Sequence, residues 1–222
     1  LIRLDAATFL LQWATGGLLF LWVTTRRRVV SLGYGWLLRS VYGLMAVAAI
    51  LAANLEGDAL HRKTVPAVTL ALVTFSVLMS SVALKGAGVS GHRELRERRA
   101  ARVAAMLGAS GGDTPDPART VASRREFDPR LDALAALVGL AGLIAVQHSS
   151  LLAVVRTLVG AAFLGAVTDA MLLGHWYLVQ PGLDRSPLNE LVRWVAMIWP
   201  LEVAGLLLPT GMTSVWTGAI ND

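Results

Sequence analysis

The sequence predicts an all-α fold: a polytopic integral membrane bundle of about six transmembrane helices arranged as three hairpins. Three observations predict it. Six apolar stretches are each long enough to cross a bilayer. The hydrocarbon core is about 30 Å thick, and a helix rising about 1.5 Å per residue spans it in roughly 20 residues. Charged residues make up 16% of the 222-residue chain and apolar ones 55%, whereas a soluble domain carries about a quarter charged. Basic residues gather in alternate connections, the pattern that orients a multi-pass protein.

Span 1, Thr8–Val23, runs into Arg26-Arg27-Arg28. Arginines stand where a cleavable signal would have a small-residue site, so the span is read as retained. Span 2, Gly35–Ala53, is followed by Asn54–Thr64, which balances Glu56 and Asp58 against Arg62 and Lys63. Span 3, Val65–Leu84, leads into Lys85–Arg130, which holds ten of the chain's twenty basic residues against six acids. Span 4, Leu131–Val146, joins span 5, Leu151–Val179, through the uncharged His148–Ser150. Gln180–Glu190, carrying Arg185, leads to span 6, Leu191–Leu208, with Arg193 just inside it. The organisation is therefore 1–84 (spans 1–3), 85–130 (basic loop), 131–208 (spans 4–6) and 209–222 (tail).

Arginine-rich connections follow spans 1, 3 and 5. The positive-inside rule then places those connections in the cytoplasm and both ends of the described topology outside. Trp22, Trp36, Trp176 and Trp194 fall near the same interface, where indole rings favour the head-group zone. The bias toward Ala, Arg, Val, Leu and Gly suits a GC-rich bacterial genome, so the expected location is a bacterial inner (cell) membrane. Within the basic loop, Gly91–Leu107 reads either as a basic amphipathic helix on the membrane surface or as a solvated extension of span 3. Gly108–Arg119, with two glycines in tandem and two prolines, reads as a linker. Interleaved acids and the absence of aromatic residues other than Phe127 argue against nucleic acid as a partner; membrane lipids are the expected contact of the basic residues.

The chain has no cysteine, which excludes disulfides, thiolate metal sites and cysteine nucleophiles within it. It contains no GxxxxGK[ST], HExxH or G-x-S-x-G motif. No metal site or catalytic site of its own is expected.

What remains is a set of polar groups inside apolar spans. Asp169 in span 5 and Glu202 in span 6 are expensive at membrane depth and so are candidates for a proton or cation site. Counting from Trp176 and Arg193 puts them about 10 and 13 Å into the core, a depth at which a span 5–span 6 hairpin would bring the two carboxylates together. Satisfaction by neighbouring helices or by a partner subunit is the alternative. Pro200, two residues before Glu202, frees a backbone carbonyl nearby. Thr69, Ser76 and Ser80 share one face of span 3, widened by Thr74 and Ser81, and are expected to point into the bundle as helix–helix hydrogen bonds or as the lining of a polar path. His175, Trp176 and Tyr177 close span 5, either as an interfacial anchor or as a contact for a quinone or lipid. Haem within this chain alone lacks a second histidine at matching depth. Arg156 is expected to snorkel to the outer head groups. Ala135/Gly139 and Ala161/Gly165 are small-xxx-small pairs that allow close helix approach.

Two functions follow as expectations. The first is a non-catalytic membrane subunit of a larger assembly, such as a respiratory or electron-transfer complex, partnered by other membrane subunits or by copies of itself. The second is a small proton- or cation-coupled secondary transporter built on Asp169 and Glu202.

Overall fold

A computed structural model of the chain describes residues 5–57, 61–84, 127–147, 151–180 and 183–207. These residues form six α-helices and no strand: α1 (Ala6–Thr25), α2 (Leu32–Leu55), α3 (Thr64–Ala83), α4 (Arg130–Val146), α5 (Leu151–Val179) and α6 (Ser186–Leu207). Each coincides with an expected span, with ends shifted by a few residues. The reading of Gly91–Leu107 and Gly108–Arg119, and that of the 209–222 tail, falls outside the described residues.

Local chemistry accounts for the helix ends. Asp5 has extended backbone, and its carboxylate accepts the Thr8 N–H at 2.7 Å, a side-chain N-cap for α1. The α1–α2 turn is tight and places Arg28 at φ 54. Gly57, at φ 73, follows the C-cap of α2, where a left-handed residue closes a helix and glycine does so without a Cβ clash. Pro66 sits in the first turn of α3, where the backbone N–H groups lack helical acceptors in any case.

Thirteen of the twenty residues of α1 are buried, against three of the twenty-two of α6. α1 is the hub. It packs against α2, α4 and α5; α3 bridges α2 and α4 to complete a four-helix ring, and α6 leans on α5. Three consecutive residues of α1 explain this arrangement, since successive helical positions point about 100° apart. Thr15 meets α4, where a Cβ on Gly139 would stand 2.5 Å from the threonine Oγ1. Gly16 meets α5, where its own Cβ would lie 1.7 Å from the Ala161 carbonyl oxygen and one on Gly165 2.1 Å from the Gly16 carbonyl. Gly17 meets α2, with the Tyr42 ring 2.1 Å from where a side chain would begin. The small-residue pairs on α4 and α5 thus do what close approach requires.

Four helices, α1, α2, α3 and α5, are long and apolar enough to cross a membrane. α5, at 29 residues, extends about 44 Å. α4 is shorter, with 17 residues, about 26 Å. α6 carries Glu190, Arg193 and Glu202. The outer surface bears large apolar side chains such as Leu44, Leu51, Leu72, Met79 and Leu137, each more than 60% exposed. A protein in water rarely presents such a perimeter; for a helical bundle in lipid it is the solvated face.

Each end of the bundle is laced by ions. At one end Glu190 at the start of α6 pairs with Arg26 and, at 3.0 Å, with Arg27. At the other, Lys63 reaches Asp5 at 2.6 Å and Glu56 at 2.9 Å. Burial pushes the Asp5 carboxyl up, but hydrogen bonds from Lys63 and Thr8 outweigh it and hold Asp5 below its ordinary 3.8. Burial likewise works against the Lys63 ammonium, and its bonds to Asp5 and Glu56 win, raising it above 10.5.

Two outcomes are expected from thermal unfolding in detergent. Gly165→Leu should destabilise by about 3 kcal/mol or abolish folding, because α1 backbone occupies the space, whereas Gly174→Ala, with nothing within 4 Å, should change little. The Asp5–Lys63 contribution should be present above pH 3.8 and fade as pH falls through the lowered Asp5 value, and again as pH rises past 10.5 through the raised Lys63 value. Lys63→Met should flatten both limbs.

Candidate functional site

The most enclosed ion pair in the described residues joins α2 to α4. Arg39 is 1% exposed and Asp132 fully buried. The guanidinium grips the carboxylate with two parallel bonds, Nε to Oδ1 and Nη2 to Oδ2, both 2.7 Å. Thr25 at the end of α1 donates a further bond to Oδ2 at 2.9 Å, and Ser81 on α3 lies 3.4 Å from Nη1. The Phe127 ring covers the cation, 4.6 Å from its centre. Gly35 makes room, since a Cβ there would meet Nη1 at 2.7 Å. All four helices of the ring contribute. A cavity of about 30 Å³ beside the pair is bordered by Thr25, Ser31, Gly35 and Phe127, space for a water. The clue in the sequence is a pair of opposite charges near the starts of spans 2 and 4, Asp132 in the first turn of α4 and Arg39 two turns into α2.

Asp169 on α5 is also fully buried. Tyr42 of α2 donates its hydroxyl to Oδ1, and Tyr34 donates to the Asp169 backbone carbonyl at 3.3 Å. Oδ2 has no hydrogen-bond partner among the described residues. One residue earlier, Thr168 accepts the Trp13 indole N–H at 2.9 Å. Trp176 packs edge-on against Tyr34, ring centres 5.8 Å apart. Asp169 therefore sits where α1, α2 and α5 meet, and the absence of a side chain at Gly17 admits the tyrosine that reaches it.

Glu202 lies elsewhere, which corrects the expectation of a shared carboxylate layer. Its Oε1 is 3.6 Å from where a Cβ on Gly160 would sit. Gly160 is nine residues before Asp169, about 13 Å along α5. The α5–α6 register sets Glu202 toward the start of α5, with Gln12 of α1 and Arg156 as polar neighbours. Arg156 accordingly turns toward α6, its stem 3.7 Å from the Cβ position of Gly205.

The hydroxyl stripe is a second correction. Thr69, Ser76 and Ser80 look outward, not into the bundle. Each donates to the carbonyl one turn back, Val65, Leu72 and Ser76 respectively, at 2.7–2.8 Å. A hydroxyl satisfied on its own helix needs no inward partner. The buried face of α3 is instead Ala67, Leu70, Ala71, Thr74, Val77 and Ser81. No polar path with Asp169 and Glu202 is formed by these three residues.

His175, Trp176 and Tyr177 do not converge. His175 is exposed, with Nδ1 bonded at 2.8 Å to the Met171 carbonyl. Trp176 turns inward to Tyr34 and donates to Gln180 at 3.0 Å. Tyr177 donates to the Asp184 carbonyl across the α5–α6 turn. Among the described residues no cluster of His, Asp or Glu is placed to hold a metal ion.

Fold and site together define an all-α membrane bundle in which Arg39 and Asp132 meet each other within the chain, while Asp169 Oδ2 has no hydrogen-bond partner among the described residues. Neither a family model, nor a curated protein, nor a solved structure matches it.

A double-mutant cycle weighs the Arg39–Asp132 pair. Arg39→Met or Asp132→Leu alone should each cost about 3–5 kcal/mol by stranding a buried charge, while the double variant should recover most of that loss in thermal unfolding.

Proposed function

We propose that the protein is a non-catalytic, multi-spanning subunit of a larger membrane assembly. One observation carries the reading. Glu202 is half-buried on α6, a helix held from one side by α5, whose remaining surface exposes Trp199, Val203 and Leu206. The Glu202 carboxyl lies beside Gly160, Gln12 and Arg156 at the edge of the α5 contact and is still part exposed, a costly state at membrane depth. A neighbouring helix laid along α6, from another subunit or a second copy, would cover the apolar face and offer the acid a donor. The Arg39–Asp132 pair supports the same reading, because its charges engage each other and the cavity beside them has room for little more than a water. In this reading the protein is a multi-pass inner-membrane protein, with the Arg26–Arg28 connection and the basic 85–130 loop in the cytoplasm. Nothing in the separated His175, Trp176 and Tyr177 favours a quinone over a lipid chain.

A second reading keeps one specific support. A proton- or cation-coupled transporter would use Asp169, whose Oδ2 is unpartnered, without the shared site and hydroxyl path that the sequence suggested.

Purification from native membranes in mild detergent distinguishes the two. A subunit should bring other chains or copies with it, and Glu202→Leu should lower their yield several-fold while Asp169→Asn does not. A monodisperse single chain, with proteoliposome uptake that Asp169→Asn abolishes, would overturn the first reading in favour of the second.

A further inference from the structure

At the arginine-rich end of the bundle, an open cleft of about 340 Å³ lies between the α1–α2 turn and the first turns of α6. Its polar mouth is lined by Arg27, Arg193, Ser186, Asn189 and Glu190, and Trp194 and Met197 complete the lining. We propose that this cleft binds the phosphate headgroup of an anionic phospholipid. The inference needs only that the bundle sits in lipid, and it stands whether or not the protein is a subunit.

Charge is the first support. The segments 26–28 and 184–193 carry five arginines against Asp184 and Glu190. Glu190 engages Arg26 and Arg27 from one side and so holds the Arg27 guanidinium at the cleft. A guanidinium has five N–H donors in a planar fork, so one carboxylate leaves donors for a phosphate oxygen. Arg193 is exposed and makes no ion pair among the described residues. Two guanidinium groups facing one opening match a phosphodiester monoanion, and arginine is the side chain suited to its planar edge.

The lining supplies the second support. Below the polar mouth, Trp194, Met197 and Leu201 recur at i, i+3 and i+7, one strip of α6, and are 38%, 55% and 58% exposed. The Trp194 ring is steadied edge-on by Phe20, ring centres 6.0 Å apart. A ligand with a charged head and an apolar tail meets the two in order: phosphate at Arg27 and Arg193, acyl chain along the strip. A soluble phosphate would use only the mouth. The indole at that level fits the head-group zone.

Native mass spectrometry of the full chain released from nanodiscs tests this, with phosphatidylglycerol and phosphatidylcholine at equal fractions. The wild type should retain phosphatidylglycerol about tenfold over phosphatidylcholine, in keeping with one charge-assisted contact of about 1.4 kcal/mol per decade. Arg193→Gln, at an exposed position, should leave the unfolding temperature unchanged and lower that preference several-fold. Arg27→Gln/Arg193→Gln should erase it. Equal retention of the two lipids by the wild type, or full preference in the double variant, would overturn the proposal. Complete displacement of phosphatidylglycerol by millimolar glycerol 3-phosphate would also overturn it, by marking a site for a soluble anion.

Discussion

The contact of α1 backbone with its neighbours is the constraint on which the rest of the structure depends. In lipid, helices gain little from hiding apolar side chains from one another, because the acyl chains are as apolar as leucine; association rests on close packing and on polar contacts. Thr15, Gly16 and Gly17 aim at α4, α5 and α2 in turn, and in each direction glycine permits the approach, on α4 at Gly139, on α5 at Gly165 and on α1 itself toward Tyr42. That junction places α1 in the middle. It also fixes where everything else lies: Trp13 against Thr168, Tyr42 against Asp169, and the end of α1 beside Asp132.

The buried polar groups follow from this geometry and contribute direction rather than bulk stability. A bidentate, buried Arg39–Asp132 pair roughly offsets its own desolvation, yet any slip of α2 against α4 would strand both charges. Thr25 and Ser81 extend the same logic to α1 and α3. Tyr42 on Asp169 ties the ring to α5 in the same way. α6 lacks a comparable tie to the ring. It is held to α5, to Glu190's arginine partners and, through Trp194, to Phe20 of α1, and otherwise stands open, which makes it the natural place for contacts beyond the chain.

Much of the fold was legible in the sequence, and the reason is that the bilayer imposes length. Gly35–Ala53 grew to Leu32–Leu55 and Leu151–Val179 was met without change. The Ala135/Gly139 and Ala161/Gly165 pairs were legible too, since residue size is what membrane packing reads. The face of α3 was not. Thr69, Ser76 and Ser80 looked like an inward stripe because in water polarity points outward and in lipid it is supposed to point in; a hydroxyl that bonds its own backbone obeys neither rule. Ala67, Ala71 and Ser81, the small residues of the opposite face, were the better guide. Glu202 was misplaced for a different reason: the two depths were counted from different markers, Trp176 and Arg193, and the α5–α6 register, which puts Glu202 beside Gly160, does not set those markers level. The Arg39–Asp132 pair required a comparison between spans of opposite charge that spacing within one span does not reveal.

The central position of α1 is open to one direct measurement, because the native chain has no cysteine to confuse it. With Thr15→Cys and Gly139→Cys introduced together, a Cβ at 139 would lie 3.0 Å from the Cβ at 15, close to the separation of about 3.5–4.5 Å that a disulfide spans. Mild oxidation in native membranes should link the two helices rapidly, and Thr15→Cys paired with Leu72→Cys on the outer face of α3 should stay unlinked. Failure of the first pair to form, or equal linking of the second, would contradict a bundle built around α1.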